Sequence, residues 1–402
     1  MRLKDFSVLN PQYKGKNIDA EVSFVPMESL RNGIIDYQDI PFKEAKGKYT
    51  FFSDGDLLVA KVTPCFENGN IAIANEMKEG IGFGSSEIFV LRMNKKVLNS
   101  YMFYITQSRN FQDGACATMC GVGGLKRISP LFMRTYELDI PSISNQQHIV
   151  DYLNKKLTKI DERIEVLEKQ KDAYMRLKKS IIHQAVTRGL NPDVSLKDSG
   201  IEWIGMIPEH WEVKRFKSIF SECKSVTETG QEDLLSVSEY YGIARRIDKM
   251  DDGEYESRAD SLIGYKICKK DDLVINIMLA WKRGLGFSDF DGIVSPAYAV
   301  YRGKNIVPHY FHYLMRTDMY VAEYKRNSKG IIDSRLRMYT DRFNNIIAIV
   351  PPLSEQEAIA CYLDEKCAKI DAAIENISKQ IDVSKRLKRA LINEVITGQR
   401  AV

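Results

Sequence analysis

The sequence predicts an α+β protein in which two mixed α/β domains lie at opposite ends of an antiparallel two-helix coiled coil, related by a pseudo-two-fold internal repeat. Two observations lead to this prediction. Residues 141–188 recur without a gap as residues 351–398, and the segments that precede them, residues 1–140 and 213–350, share a looser pattern. A repeat of this length indicates two half-molecules in series.

The two candidate domains match in the order of their elements. Each has an acidic turn that opens a buried strand, a second strand, a helix that opens with aromatic residues, a glycine-bearing loop followed by basic residues, and a final strand that runs into a proline. Short apolar runs bounded by turn residues are typical of strands. The matching segments are residues 54–62 and 270–278, 86–92 and 295–302, 101–104 and 310–313, 121–127 and 328–337, and 138–141 and 347–351.

Residues 141–190 and 351–402 each predict one long helix that spaces the domains. Their apolar positions advance at first by alternating steps of four and three, the spacing that seats one helix against another. The stripe comprises Leu153, Leu157, Ile160, Ile164 and Leu167 in the first copy and Leu363, Cys367, Ile370, Ile374 and Ile377 in the second. Further along lie Tyr174, Leu177 and Ile181 in the first copy and Ile381, Leu387 and Leu391 in the second.

The start and the direction of each helix follow from the order of the chain. Ser144 and Ser354 are candidate N-caps, each followed three residues later by a side chain that can complete a capping box, Gln147 or Glu357. The first helix carries the chain into the second domain, and the second helix begins where that domain ends. If the helices pack along each other, they must therefore be antiparallel; the alternative is that each buries its stripe on its own domain.

A connector of residues 191–212 joins the first helix to the second domain. Its glycine, proline and asparagine residues mark turns. We expect Trp203 and Trp211 to anchor this segment onto a domain, so that it is not a free linker.

The composition bounds the class of protein. A chain of 402 residues with 44% apolar residues allows two or three domains with real cores. Its seven cysteines include no CxxC pair, which favours free thiols in a reducing cytoplasm. There is no signal peptide and no apolar run long enough to span a bilayer, so we expect a cytoplasmic protein without a membrane partner. The net charge is only +4, so nucleic-acid binding would depend on local basic clusters.

Three sequence features together resemble a known family. They are the Pro-x-x-Ser-x-Gln helix openings at residues 141–146 and 351–356, the connector residues 198–211, and the phrase Phe24-Val25-Pro26-Met27. With them, the chain resembles the specificity subunit of a Type I restriction-modification system over essentially its whole length. One departure is that the first domain starts at Met1 without the Ile-Pro-Glu-x-Trp lead-in of the second. We therefore expect residues near the C-terminus to complete its edge.

The resemblance implies a non-enzymatic DNA-recognition subunit that takes part in defence against phage. In that family two target-recognition domains, here residues 1–140 and 213–350, each read one half of a split DNA sequence, and the two helical regions act as a ruler. The expected partners are double-stranded DNA, two methyltransferase subunits that use S-adenosylmethionine, and restriction-translocase subunits that use ATP and Mg. No cofactor is expected to bind this chain.

Polar and basic residues near the predicted loops are the candidate DNA contacts. Arginine and lysine can contact phosphates or guanine edges, and asparagine suits adenine. The candidates are Lys61, Thr63, Asn68, Asn70, Lys126 and Arg127 in the first domain and Trp281, Lys282, Arg283, Lys329, Arg335 and Arg337 in the second. The alternative is that these side chains are ordinary solvated surface charge.

Two basic clusters recur toward the ends of the helices and allow two interpretations. They are Arg176, Lys178 and Lys179 in the first copy and Arg386, Lys388 and Arg389 in the second. Cations near a helix C-terminus are favourable on their own account. The other interpretation is a contact with DNA or with a partner subunit.

Catalytic motifs are weak in this sequence. The segment Asn10–Tyr13 lacks the second proline of the Asn-Pro-Pro-Tyr motif of amino-methyltransferases, and residues 121–126 lack the spacing of a phosphate-binding loop. His309 and His312 have no cysteine partner for zinc. The rival functions are an orphan DNA methyltransferase or nuclease, and a coiled-coil scaffold that never touches DNA.

Overall fold

The computed structural model describes residues 1–122, 124–245 and 261–402, which divide into two compact units. Unit 1 comprises Met1–Lys169 and Ser378–Val402, and unit 2 comprises Gln170–Ile377. Gly123, within the first glycine-bearing loop of the sequence, lies outside the described residues. Because the units divide the chain within the long helices, the limits given above for domains and connector stay predictions.

Unit 1 is a mixed α/β domain from which the first long helix emerges. Its strands are β1 Ser7–Leu9, β2 Glu21–Val25, β3 Leu30–Arg31, β4 Ile34–Ile35, β5 Gln38–Pro41, β6 Thr50–Ser53, β7 Leu57–Ala60, β8 Ile71–Ile73, β9 Ile81–Gly84 and β10 Ile88–Met93. Its helices are α1 Phe42–Ala45, α2 Asn99–Gln107, α3 Arg109–Ala117, α4 Phe132–Thr135 and the start of α5 Ile143–Arg188.

Two four-stranded sheets organise unit 1. The central sheet has the order β1-β10-β7-β8 and is antiparallel throughout. The other has the order β5-β2-β9-β6, with β2 and β9 parallel. All four residues of β7 are buried, as the apolar run predicts. Leu57 and Val59 share one core with Tyr101, Met102 and Ile105 of α2.

Unit 2 repeats this plan with its own strands and helices. Its strands are β11 Leu196–Asp198, β12 Met206–Pro208, β13 Glu212–Arg215, β14 Phe220–Cys223, β15 Leu235–Ser238, β16 Gly242–Arg245, β17 Lys266–Cys268, β18 Leu273–Asn276, β19 Leu285–Phe287, β20 Gly292–Val294, β21 Tyr298–Gly303 and β22 Ile347–Val350. Its helices are α6 Phe216–Ile219, α7 Pro308–Met315, α8 Asp318–Asn327, α9 Thr340–Phe343 and the start of α10 Leu353–Ile396.

The central sheet of unit 2 has the same antiparallel order as that of unit 1. The order β14-β21-β18-β19 places β18 and β21 where unit 1 has β7 and β10. The looser repeat of the sequence is therefore a repeat of sheet topology. The predicted α+β fold is confirmed in each unit, and the internal repeat is confirmed by the shared strand order.

The long helices run antiparallel where they meet in each unit. In unit 1, Asp161 pairs with Lys388 at 2.7 Å and Glu168 with Lys385 at 3.9 Å, so residue numbers rise along α5 as they fall along α10. In unit 2, Lys178 pairs with Asp371 at 2.6 Å. In each unit the long helices also contribute to the core of the domain. The stripes therefore pack both against the other helix and against the domain, so both alternatives apply.

The apolar stripe is mostly buried, and Ile381 and Leu391 of its extension are buried as well. Ile160, Ile164 and Ile374 are half-buried and the other seven stripe residues are buried. Leu177 and Leu387 are instead exposed. Alternating steps of four and three, continued from Leu153 and Leu363, lead to Lys178 and Lys388. These lysines, and not the leucines that precede them, therefore lie at the seam.

The predicted N-caps are also corrected. In α5 the cap is Ser142, whose hydroxyl accepts from Asn145 N at 3.3 Å, because the helix already begins at Ile143. Helix α10 begins at Leu353, so Ser354 lies inside its first turn and its capping box with Glu357 does not form.

The connector and the C-terminus both pack onto domains. Trp211 is fully buried in the core of unit 2, and its Nε1 donates to Glu355 at 2.9 Å. Trp203 packs edge-on against Tyr320 with ring centroids 5.1 Å apart. In unit 1, Leu391, Ile392 and Val395 of α10 join the core that contains Leu3. The connector is thus anchored, and the C-terminal helix completes the first domain as expected.

Candidate nucleic-acid interface

Each unit carries a glycine-bearing loop whose two ends are joined by an antiparallel backbone bridge. In unit 1, Cys120 and Arg127 exchange hydrogen bonds of 3.0 and 2.9 Å. In unit 2, Lys329 and Arg337 exchange two bonds of 2.9 Å. These are the glycine-bearing loops that the sequence places before the last strand of each half.

A glycine allows each loop to close. A Cβ on Gly121 would lie 2.1 Å from the Leu125 carbonyl oxygen, and one on Gly330 would lie 2.6 Å from the Arg335 carbonyl oxygen. Backbone atoms cannot move aside as a flexible side chain would. Glycine is needed there because the chain returns across it without space for a side chain.

The loops are fixed at the same place on matching sheets. Ile128 N, just after the first loop, donates to Lys61 O at 2.9 Å, and Met338 N, just after the second, donates to Ile277 O at 2.8 Å. Lys61 and Ile277 directly follow the buried central strands β7 and β18. Each loop therefore projects from the end of the central strand of its unit.

Thr63 and Lys126 come together at the base of the first loop. The Thr63 hydroxyl accepts from Lys126 N at 2.8 Å and lies 3.2 Å from the Gly124 carbonyl oxygen. The Lys126 side chain is exposed. Thr63 therefore holds the loop, and the ammonium group of Lys126 can reach a ligand.

Arg127 and Lys61 are also adjacent, but both have protein partners. Arg127 makes a bidentate pair with Glu87 at 2.8 and 3.0 Å, and this hydrogen bonding lowers the pKa of Glu87. The Lys61 ammonium lies 5.4 Å from the centroid of the Phe89 ring. To contact DNA, the Arg127 guanidinium would have to bind DNA in addition to the Glu87 carboxylate or in place of it.

The two asparagine candidates differ in accessibility. Asn68 is exposed in the turn between β7 and β8. Asn70 is only 8% exposed and its backbone pairs with Cys65 and Ala60, so the prediction that it contacts DNA is corrected. It lies at the entry of the buried strand β8, where the chain turns inward.

In unit 2, Trp281 is surrounded by cations. Lys282 and Lys325 hold their ammonium groups 5.0 and 5.2 Å from the centroid of its ring. The indole Nε1 donates to Met278 O at 3.1 Å. Lys325 also pairs with Asp333 of the second loop at 3.1 Å, which brings the tryptophan and that loop into one surface.

Arg283 has protein partners, and its role as a DNA contact stays a prediction. Its Nε donates to Arg316 O at 3.0 Å and its guanidinium pairs with Asp318. The backbone is left-handed there, with φ of 62°, and closes the turn after Trp281. The guanidinium therefore binds the start of helix α8 and the residue Arg316 that precedes it.

The second loop presents the remaining candidates. Lys329 and Arg335 are exposed, and Arg337 is half-buried with its Nη1 donating to Leu336 O at 2.9 Å. The structure thus groups Lys329, Arg335 and Arg337 on one loop, next to the surface formed by Trp281 and Lys282.

Several residues at these surfaces were missed by sequence reasoning. Exposed aliphatic side chains stand on both loops, Val122 and Leu125 on the first and Ile331 and Ile332 on the second. Tyr240, at the tip of the β15–β16 hairpin, is also largely exposed. Arg316 fastens that hairpin by donating to the carbonyl oxygens of Glu239 and Tyr240 at 2.9 and 3.0 Å. These residues were overlooked because single apolar residues in loops carry no periodic pattern.

The motifs weighed for catalysis have structural partners. Asn10 Oδ1 accepts from Val90 N at 2.9 Å, and His309 pairs with Asp364 at 3.2 Å. Among residues 1–122, 124–245 and 261–402, no three His, Cys, Asp or Glu side chains are placed to hold a metal ion. No helix in the same part of the chain is long and apolar enough to cross a membrane.

Comparison with known proteins gives matches in sequence. Residues 4–173 match the family model of the Type I restriction modification DNA specificity domain. The specificity subunits of the Type I restriction enzymes EcoAI and EcoEI of Escherichia coli are 29% and 30% identical, over 43% and 45% of this chain. Those alignments cover 30% and 31% of the relatives, so the matched part spans about a third of their length. The MjaVIII specificity subunit of Methanocaldococcus jannaschii is 22% identical over 96% of this chain and 87% of its own length.

Solved structures share the fold over nearly the whole chain. A chain from a structure of the type I R-M system, concerned with complex assembly and conformational transition, has a TM-score of 0.73 at 14% identity and covers 98% of this chain and 96% of its own. The HsdS subunit from Thermoanaerobacter tengcongensis has a TM-score of 0.54 at 16% identity, with coverage of 100% and 96%. The chain is therefore similar to Type I restriction-modification specificity subunits, in sequence over residues 4–173 and in fold over nearly its whole length.

Proposed function

We propose that this chain is the DNA-recognition subunit of a Type I restriction-modification complex and that it reads a split target, one part with the domain of each unit. The observation that carries the proposal is the recurrence of one scaffold with different surface residues. The central sheets have the same order and the glycine-closed loops occupy the same place, yet their exposed side chains differ. Two domains with the same sheet order but different exposed side chains are expected to recognise two different half-sites.

The loops have the chemistry that such reading requires. Lys126 in unit 1 and Arg335 in unit 2 are exposed cations that can neutralise phosphates or contact guanine edges. Trp281 with Lys282 adds an aromatic and cationic surface beside the second loop. Because the net charge of the whole chain is only +4, these local groups would supply most of the attraction to DNA.

We further propose that the chemistry resides in partner subunits. Two methyltransferase subunits would bring S-adenosylmethionine, and restriction-translocase subunits would bring ATP and Mg. The relatives support this division, since they are named as specificity subunits of restriction enzymes. In this proposal the chain docks those partners and selects the sequence on which they act, inside the cytoplasm.

A domain exchange tests the proposal. Residues 1–140 are replaced by the first recognition domain of another member of the family, and the chimera is expressed with its partner subunits. Genome-wide mapping of methylated bases should then show one half of the target sequence changed and the other half retained. The reciprocal exchange of residues 213–350 is the matched control and should change the opposite half. An unchanged methylated sequence in both chimeras would mean that the chain is a scaffold that does not read DNA.

A further inference from the structure

Both loops end in aliphatic side chains that face solvent. In unit 1, Val122 is 89% exposed and Leu125 53% exposed, and in unit 2, Ile331 is 100% exposed and Ile332 52% exposed. A single exposed aliphatic residue on a protein surface is ordinary. Val122 and Ile331 each directly follow the glycine that closes the loop, and each loop has a second exposed aliphatic residue, Leu125 or Ile332. This recurrence in two domains of unlike sequence favours a shared function.

A backbone hydrogen bond lies within each loop, next to these side chains. In the first loop, Leu125 N donates to Val122 O at 3.3 Å, and in the second, Arg335 N donates to Ile332 O at 2.8 Å. In each loop this hydrogen bond lies between the two residues of the backbone bridge, and the returning backbone passes close to the loop's glycine. An exposed apolar group on a constrained turn loses little conformational freedom when it is covered by a ligand.

The charges around the tips favour DNA as that ligand. Lys126 is exposed beside Leu125, and Lys329 and Arg335 are exposed beside the two isoleucines. The acidic groups nearby are already paired, Glu87 with Arg127 and Asp333 with Lys325. An apolar tip flanked by cations suits a duplex, in which phosphates surround the apolar surfaces of the bases.

We propose that each loop presents an aliphatic prong, Val122 with Leu125 in unit 1 and Ile331 with Ile332 in unit 2, that contacts the bases of the target duplex. The inference rests on the proposed function, DNA recognition, and assigns it specificity-determining residues. The neighbouring cations hold the phosphates, and the prong meets apolar base surface. That surface is either the thymine methyl group in the major groove or the face of a base that is partly unstacked by a wedge.

The test uses the assembled methyltransferase complex with the double variants V122A/L125A and I331A/I332A. Leu131→Ala is the matched control, because Leu131 is an equally exposed aliphatic residue of unit 1 outside the loop. Binding to a duplex with the cognate site and to one with a single altered half-site is measured over a range of salt concentrations. We expect each double variant to lose about tenfold in affinity for the cognate duplex, with discrimination lost only at its own half-site. The salt dependence should be unchanged, since no phosphate contact is removed.

Modified duplexes then separate the two sources of apolar surface. Replacing thymine by uracil in the half-site should reproduce the loss if the methyl group is the contact, whereas 2-aminopurine fluorescence should rise on binding if a base is unstacked. Unchanged discrimination by both double variants would overturn the inference while the proposed function stands. Failure of the variants to assemble, with normal discrimination in whatever complex forms, would assign the prongs to a partner subunit and also overturn it. A wild-type complex that prefers no sequence would instead remove the proposed function itself.

Discussion

At the scale of single residues, the repeat preserves side chains that join elements to each other. Asp56 is buried and accepts two hydrogen bonds from Arg92, at 2.8 and 2.6 Å, while also accepting from Ser53 N at 2.8 Å. Asp272 and Arg302 repeat this arrangement with two bonds of 2.9 Å. The acidic turn seen in the sequence thus closes the turn before the central strand and ties it to the neighbouring strand.

A buried glutamine has a similar role at the start of each long helix. Gln146 Oε1 accepts from Leu98 N at 2.8 Å and its Nε2 donates to Pro141 O at 2.9 Å. Gln356 repeats both contacts, with Val307 N at 2.9 Å and Pro351 O at 2.8 Å. The glutamine of the Pro-x-x-Ser-x-Gln motif therefore joins the long helix to the residue before the domain helix, since both backbone groups would otherwise be buried without a partner.

Cys268 offers a prediction at this scale. Burial raises the pKa of its thiol from 9.0 to about 12, so the thiol stays protonated and unreactive at neutral pH. Because the folded protein holds this proton more tightly, the contribution to stability is complete below pH 9.0 and is lost as the pH rises toward about 12. At pH 8, maleimide should label the exposed Cys120 and Cys361 rapidly and Cys268 only after denaturant is added, as peptide mass mapping would show. Labelling of native Cys268 at the rate of Cys120 would contradict its burial.

At the scale of elements, the helix pair combines an apolar stripe with lysine residues on the seam. Lys178 and Lys388 lie where a strict heptad would place leucine, and their stems are largely covered. Their ammonium groups reach Asp371 and Asp161, which are themselves equivalent in the repeat. These pairs account for the central members of the recurring basic clusters. The lysines lie well before the helix ends, beyond the last turn over which the helix dipole acts.

The stripe gives a prediction for stability. Ile370→Asp places a charge without a partner in the buried seam of unit 2 and should lower the free energy of unfolding by roughly 3 kcal/mol. Ile160→Asp, at the equivalent and only half-buried position of unit 1, should cost less. Ala372→Asp is the control, since this residue is exposed on the same helix and should cost under about 1 kcal/mol. Urea unfolding measures all three; equal stability of the Ile370 and Ala372 variants would argue against the helix pairing.

At the scale of the whole molecule, the chain consists of two units that each combine a mixed α/β domain with parts of both long helices. Neither the first nor the last segment of the chain stands alone, because the end of α10 completes the core of unit 1. In the proposed function, the repeated loops would select the DNA sequence on which partner enzymes act.

The proposed function predicts that the chain has no enzymatic activity without its partner subunits. Incubated with labelled S-adenosylmethionine and DNA, the purified chain should transfer no methyl group, and with Mg and ATP it should leave DNA uncut. The same preparation should restore sequence-directed methylation when the methyltransferase subunits are added, which controls for correct folding. Methyl transfer or cleavage by the chain alone would show that it is an enzyme. That result would contradict the proposal that partner subunits carry out the chemistry.

The sequence by itself determined the duplication, the two long helices and the buried central strand of each domain, β7 and β18. These features arise from short-range periodicity and from repeated spacing, which are visible in the residues. It also located the glycine-bearing loops, because glycine is required where the backbone returns on itself, as at Gly121 and Gly330. The last strand predicted for the first half is not present, since residues 138–140 form no strand.

Only the tertiary structure decided which candidate side chains are available for binding. Asn70 is enclosed in the interior, whereas Arg283 pairs with Asp318, a residue distant in the sequence. The exposed pairs Val122 with Leu125 and Ile331 with Ile332 emerged for the same reason. Burial and pairing depend on residues brought together by folding, so a local pattern of residue types cannot fix them.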